Sequence, residues 1–189
     1  MNIIMPVKTK LSSELISTLN FNPRIPIGTL WEFEHFRKGE LLDQWKQGNV
    51  NTNEGLNAFL DIMFHGATQI ATWYMTVFES DTTALITHTY AVPGYTECTA
   101  YAPATRPEFV EAAAAALVTT NTANKASFTF NDTKTIYGAS LVGGGTDPTV
   151  KADAAGGGIL FASSKFATSK SVVNTDVLLV TCTITLADV

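Results

Sequence analysis

The side chains best able to do chemistry are few and scattered. None of the three histidines, His35, His65 and His88, is followed at i+2 or i+4 by another metal ligand, so no zinc or iron site is written locally. The two cysteines, Cys98 and Cys182, form no CxxC and have no flanking cation to depress a thiol pKa. No serine occupies a G-x-S-x-G elbow. Glycoside hydrolysis needs two carboxylates across a cleft. Glu32 and Glu34 could supply two acids, but they share one strand face, which reads first as a solvated surface. Beyond Glu111 the acids are Asp132, Asp147, Asp153, Asp176 and Asp188, most of them in turn-like contexts.

The glycine-rich GGGTDP and AAGGGI stretches lack the strand-before, helix-after arrangement and the lysine of a phosphate loop, so they read as loop tips. Asp147 and Asp153 do not form the D-x-D-x-D series of a calcium loop. The expectation is a chain with no catalytic set, no metal site and no cofactor.

Composition narrows the classes further. The chain has 189 residues, of which 46% are hydrophobic and only 15% charged, against about 25% charged in an ordinary globular domain. Threonine, serine, alanine, asparagine and glycine fill the difference, as in β-rich proteins with neutral surfaces. The net charge is −5 and there is no dense basic stripe, which argues against binding nucleic acid through its phosphates. Residues 1–30 carry Lys8, Lys10 and Arg24 against Glu14, leaving −7 on the rest. No apolar run reaches the roughly 20 residues of a membrane span. The first ten residues lack the pattern of a secretory signal, and two reduced thiols are expected, so synthesis in a reducing cytoplasm is the expectation.

The elements that would position these residues can be read in order. Residues 1–28 form an expected N-terminal arm punctuated by Pro6, Pro23 and Pro26. Within it, Ser12 to Leu19 is a short helical candidate with Leu15, Ile16 and Leu19 on one face. Eight residues are too few to stay helical alone in water, so packing on the chain's own body or on another chain must hold them. Lys8, Lys10, Leu15, Ile16 and Leu19 are therefore the candidate partner-interface residues.

The remainder, 29–189, reads as one β-sandwich domain with a helix at about 52–65. Trp31, Phe33 and His35 alternate with Glu32 and Glu34, Lys38-Gly39 turns, and Leu41 to Lys46 returns as a hairpin partner. Asn51 and Glu54 have the form of a capping box. Leu56, Phe59, Leu60, Met63 and Phe64 share a helical face expected to be core, and Gly66 is placed to end the helix. Trp73 to Glu79 reads as a central strand and Leu85 to Tyr90 as a second, putting His88 in a strand.

Five alanines after Glu111 favour a helix, but the β-branched, asparagine-rich continuation favours extended structure with turns through 99–126. Ser127–Phe130, Thr135–Val142, Ile159–Phe166 and Val177–Leu186 complete the strands. In the last of these, Leu178, Val180, Cys182, Ile184 and Leu186 alternate with a mostly threonine face. The fold class expected is mainly β: an antiparallel sandwich or jelly-roll-like body with one inserted α-helix and an extended N-terminal arm.

The stretches NVNTNEGLNAFLDIMFHGATQIATWYMTVF, YTECTAYAPATRPEF, TIYGASLV, GGGILFASSKF and DVLLVTCTITL together resemble a family of virion structural proteins of tailed bacteriophages. The likeness covers about residues 30–188 and is most distinctive at the Asn-Glu-Gly-Leu-Asn helix start and the Trp-Tyr strand. Where family members often carry Gly-Asp before the last strand, this chain has Asn174-Thr175-Asp176. The resemblance implies a β-sandwich without catalysis, extended structure rather than helix at 107–118, and a place on the head as a decoration or cement protein. Its partners would be the major capsid lattice and copies of itself, as a homo-oligomer on the particle. A tail, adaptor or receptor-binding component is the alternative. A free carbohydrate-binding or hydrolytic domain is a third reading; it predicts a groove lined by exposed aromatics, and solvent exposure of Trp31 or Trp45 would favour it.

Overall fold

The computed structural model describes residues 26–187. Two antiparallel sheets pack face to face in a jelly-roll-like sandwich with a single helix among the described residues. The first sheet contains β1 (Ile27–Arg37), β2 (Glu40–Gln47), β5 (Val118–Thr120), β6 (Ala126–Thr129) and β9 (Val177–Leu186). Its order is β2-β1-β9-β5, and β6 pairs with another stretch of β9. The second sheet runs β3-β8-β7-β4, from β3 (Val50–Asn51), β8 (Ile159–Val172), β7 (Lys134–Gly143) and β4 (Trp73–Phe78). The ladders nest along the chain: β1 pairs with β9, β3 with β8, and β4 with β7.

Period-two patterning produces this arrangement. Trp31, Phe33 and His35 are buried on β1, while Glu32 and Glu34 face outward. At the hairpin, Lys38 and Gly39 both have positive φ, 53° and 82°, the pair that matches the twist of a two-residue turn. Leu178, Val180 and Cys182 of β9 meet Met75 and Val77 of β4, Ile136 and Leu141 of β7, and Phe166 of β8 in one core. Phe33 anchors the middle, edge-on to Phe166 at 4.6 Å and stacked on Trp45 at 5.0 Å. The segment 107–115 is not helical, its alanines included, and a turn at Ala116-Leu117, with φ 50° and 64°, leads into β5.

Several expectations need correction. β1 begins at Ile27, two residues before Thr29, where the alternating pattern starts. The Trp73 strand is an edge strand of its sheet rather than a central one, although bridges from Tyr74 to Glu108 and Phe78 to Glu97 cover its free side. Leu85–Tyr90 is not a strand, and His88 lies in a loop. The backbone groups of that segment are used singly instead of in a ladder: Ile86 O accepts from Asn53 N, and Tyr90 N donates to the Glu54 carboxylate. β8 continues six residues past Phe166, pairing as far as Lys134↔Val172.

The largest correction concerns the helix, α1 (Asn53–Phe64). Its N-cap is Thr52, whose hydroxyl accepts from Gly55 N at 3.0 Å. Asn51 sits in β3 and ties the sheets together, donating to Ile27 O at 2.5 Å and accepting from Thr29 Oγ1 at 2.8 Å. Glu54 does not reach back to the cap; it accepts from Leu160 N at 2.7 Å and Tyr90 N at 2.8 Å. Nor is the five-residue face core, because Gly55 is the buried residue of α1. Leu56 and Phe59 are half-buried, whereas Leu60, Met63 and Phe64 are exposed. The apolar face was legible but not its orientation: α1 turns Gly55, Phe59 and Ile62 inward and leaves Leu60 and Phe64 outside.

Gly55 shows why the helix can lie so close to β8. A Cβ there would stand 2.6 Å from Phe161 Cα and 2.7 Å from Phe161 O, and backbone cannot step aside as a flexible side chain can. Gly55→Val is expected to cost about 1–3 kcal/mol, lowering the melting temperature by roughly 2–4 °C per kcal/mol. A calorimetric melt within a degree of the parent would show that α1 is not seated this way.

Candidate interaction surface

Each candidate for chemistry can now be placed. Glu32 and Glu34 stand side by side on the outer face of β1, not across a cleft, and each has a lysine partner. Glu32 pairs with Lys46 across the hairpin, and Glu34 accepts from Lys125 Nζ at 2.8 Å. Cys98 and Cys182 are free, fully buried thiols. Burial pushes both pKa values up, Cys98 to about 11, opposite to what a nucleophilic thiol needs. His65 is the C-cap of α1, followed by Gly66 at φ 76°, as the helix-stop reading requires. Among the described residues, no three His, Cys, Asp or Glu side chains gather to hold a metal ion, and no helix is long and apolar enough to cross a membrane.

Two buried polar clusters escaped the sequence reading, and both are structural. Arg106, only 4% exposed, donates to Glu97 through Nε at 3.0 Å and Nη2 at 2.6 Å. It also donates to Tyr90 Oη, Pro148 O and Asp153 O at 2.8–2.9 Å. Tyr90 in turn donates to Asp153 at 2.8 Å. Burial lifts the Tyr90 phenol to about 12, while the Tyr90 hydroxyl holds the Asp153 carboxyl below its usual range. The glycine-flanked loop 144–158 is thus pinned to the body rather than free at a tip. The second cluster joins Asp176, wholly buried in the β8–β9 turn, to His35 and Arg37 of β1. A residue such as Arg106, between Thr105 and Pro107, carries no local mark of its distant partners.

What remains unexplained by the body's own packing is an apolar surface on α1. The helix is held by its first turn, through the Thr52 cap, the Gly55 contact and the Glu54 carboxylate. Its outer ridge then presents Leu60, 52% exposed, Met63, 58%, and Phe64, 80%. Leu85 and Ile86, both about half-exposed, lie in the loop that meets the helix start. Scattered single apolar residues on a surface are ordinary, but a contiguous ridge ending in a phenylalanine is the usual mark of a macromolecular contact. Lys8, Lys10, Leu15, Ile16 and Leu19 lie outside the described residues. Of the two tryptophans that a glycan platform would use, neither stands exposed. Trp31 is fully buried, and Trp45 is half-buried against Phe33 and Phe166 with Lys170 Nζ 4.4 Å from its ring centroid.

No protein-family model matches the chain, and no curated protein matches it.

Proposed function

We propose that this protein is a non-enzymatic structural component of a tailed-bacteriophage virion, a decoration or cement protein on the head surface that binds the major-capsid lattice. The sequence resemblance supplies the class. The observation that carries the contact is the exposed α1 ridge of Leu60, Met63 and Phe64, which ends in the most exposed of the described large apolar side chains, Phe64. A modest patch of this kind gains its strength from repetition, because many copies on one lattice convert weak single contacts into high occupancy. Lys8 and Lys10 at the head of the arm add charges suited to an acidic neighbour.

Electron microscopy of purified particles tests the location directly: density on the head is expected, whereas density confined to the tail would replace this reading with the adaptor or receptor-binding one. The contact is tested by the double substitution Leu60→Asp/Phe64→Asp. Because these side chains are exposed, the stability should change by no more than about 0.5 kcal/mol. Loss of an apolar anchor at the centre of a contact costs about 2 kcal/mol or more, roughly 30-fold in affinity. Full occupancy of capsids by the folded double variant would refute the ridge as the contact.

A further inference from the structure

Where the chain enters β5, its backbone and its side chains disagree. Ala112 N donates to Thr120 O at 2.9 Å, and Ala115 and Val118 exchange N–H···O bonds at 3.0 Å in both directions. Thr119 Oγ1 donates to Ala112 O at 2.8 Å. Residues 112–120 thus form a small β-hairpin whose two-residue loop is Ala116-Leu117, both at positive φ, 50° and 64°. Asn-Gly fills such a loop without strain, whereas the Cβ of an ordinary L-residue crowds the following carbonyl there. Lys38-Gly39 makes a turn of the same kind with glycine in the second place. Here alanine and leucine hold both places.

The first arm of the hairpin is as ill-matched as its loop. It belongs to VEAAAAAL, residues 110–117, in which alanine, the best helix former and a poor strand former, takes five places. Glu111 stands where the first turn of a helix favours an acid. All eight side chains of the run are exposed, so burial in the core does not offset the mismatch. Both ends of the segment are fixed. Phe109 is buried and its N donates to Trp73 O at 2.8 Å. Asn121 is buried too, its carboxamide bonded to Val180 O and Cys182 N. A strained turn between two firm anchors, in a sequence that prefers another conformation, is the form a switching element takes.

We propose that residues 110–120 are a strap with two states: the closed hairpin, and an open form in which residues 110–117 wind into a helix and β5 leaves β9. Chain length permits the exchange. Eight helical residues rise about 12 Å, and residues 118–120 return about 10 Å when extended, so the segment can start and end at the same anchors. Eight residues are too few to be helical unaided in water, so the hairpin is the major state and the open form the minor one. The two states differ in what they present. Closed, β5 occupies Thr183, Ile184 and Thr185 of β9, and Leu117 O accepts from Leu186 N at 2.9 Å. Open, those positions lose their β5 ladder while β1 still holds the other edge of β9. The strap therefore controls access to the end of that strand. This inference stands independently of the virion reading.

The test is NMR of the full chain, comparing the parent with Ala116→Asn/Leu117→Gly, which gives the loop the residues its φ values favour and changes exposed positions only. In the parent, saturation-transfer measurements on the Cα carbons of residues 112–116 are expected to reveal a minor state with helical shifts. The amides of Ala112, Ala115, Val118 and Leu186 should exchange with solvent deuterium through that opening. In the variant the closed state sheds its strain and the open one gains a glycine in its helix. The minor state should then disappear, and exchange at the four amides should slow by roughly tenfold or more. A parent with no minor state, or with one whose shifts are those of coil, would overturn the proposal. Exchange at the four amides that the variant leaves unchanged would overturn it as well.

Discussion

Replacing Arg106 with methionine is expected to lower the unfolding free energy by about 3–5 kcal/mol. The guanidinium and its carboxylate partner are both nearly inaccessible, 4% and 6% exposed. Burial pulls the Arg106 pKa down, but the Glu97 hydrogen bonds outweigh it and hold the group charged. Methionine removes the cation and leaves the Glu97 carboxylate without its main counter-charge in a medium where an unpaired charge is costly. It also frees Pro148 O, Asp153 O and Tyr90 Oη, which come from two other stretches of chain. Arg106→Lys keeps the charge but not the planar fork that spans Glu97 and both carbonyls, so it should recover only part of the loss. Glu97→Gln/Arg106→Met should cost less than the sum of the single changes, because the two residues share one interaction. Denaturant melts of the parent and these variants, with Glu97→Gln alone, check this, and strict additivity would show that the pair is not coupled.

The second large effect belongs to Asp176. Its Oδ2 accepts from His35 Nε2 at 2.8 Å, Arg37 Nη2 at 2.8 Å and Val173 N at 2.9 Å, and its Oδ1 accepts from Arg37 Nε at 2.9 Å. Burial pushes the carboxyl pKa up, but the Arg37, Val173 and His35 hydrogen bonds outweigh it and leave the group well below the usual carboxylate range. A depressed folded pKa means that the unfolded chain takes up the proton first. The ionised carboxylate therefore stabilises fully above its unfolded value near about 4 and progressively less as pH falls toward the folded one. Asp176→Ala should cost about 3 kcal/mol at neutral pH, leaving buried donors without an acceptor. Its stability should also fall less than the parent's between about pH 4 and pH 2. Parallel acid limbs in the two proteins would show that Asp176 carries no such linkage.

These two clusters mark where the sequence stops being informative. The β9 bounds, the Lys38-Gly39 turn, the Gly66 helix stop and the non-helical 107–115 segment were all legible. Alternation, turn residues and propensity act between neighbours, and strands with one buried face write that pattern plainly. Arg106 draws its partners from residues 90–97 and 148–153, and Asp176 from residues 35 and 37, so no local window contains the reason for either. Asp176 was visible only as one turn acid among several. The α1 face was misjudged for a related reason: periodicity groups Leu56, Phe59, Leu60, Met63 and Phe64 but cannot tell which edge of an apolar stripe meets the sheet. Gly55, which adds no side chain to the stripe, decided the matter by allowing backbone to approach backbone. The residues of the α1 surface were therefore visible in the sequence, but as core.

The pairing of β1 with β9, Ile27↔Leu186 through Phe36↔Val177, has a kinetic consequence. It joins stretches separated by about 140–160 residues, and β3–β8 and β4–β7 nest inside it. Loop-closure entropy must be met before such distant ladders stabilise anything, which places folding in the slow, millisecond-to-second range of non-local β topologies. During synthesis β1 and its hairpin emerge first, but β1 has no β9 to pair with until Val177–Leu186 has left the ribosome. Until then the β1 edge is open, and that nascent edge is the point at which the chain is most exposed to pairing with another copy.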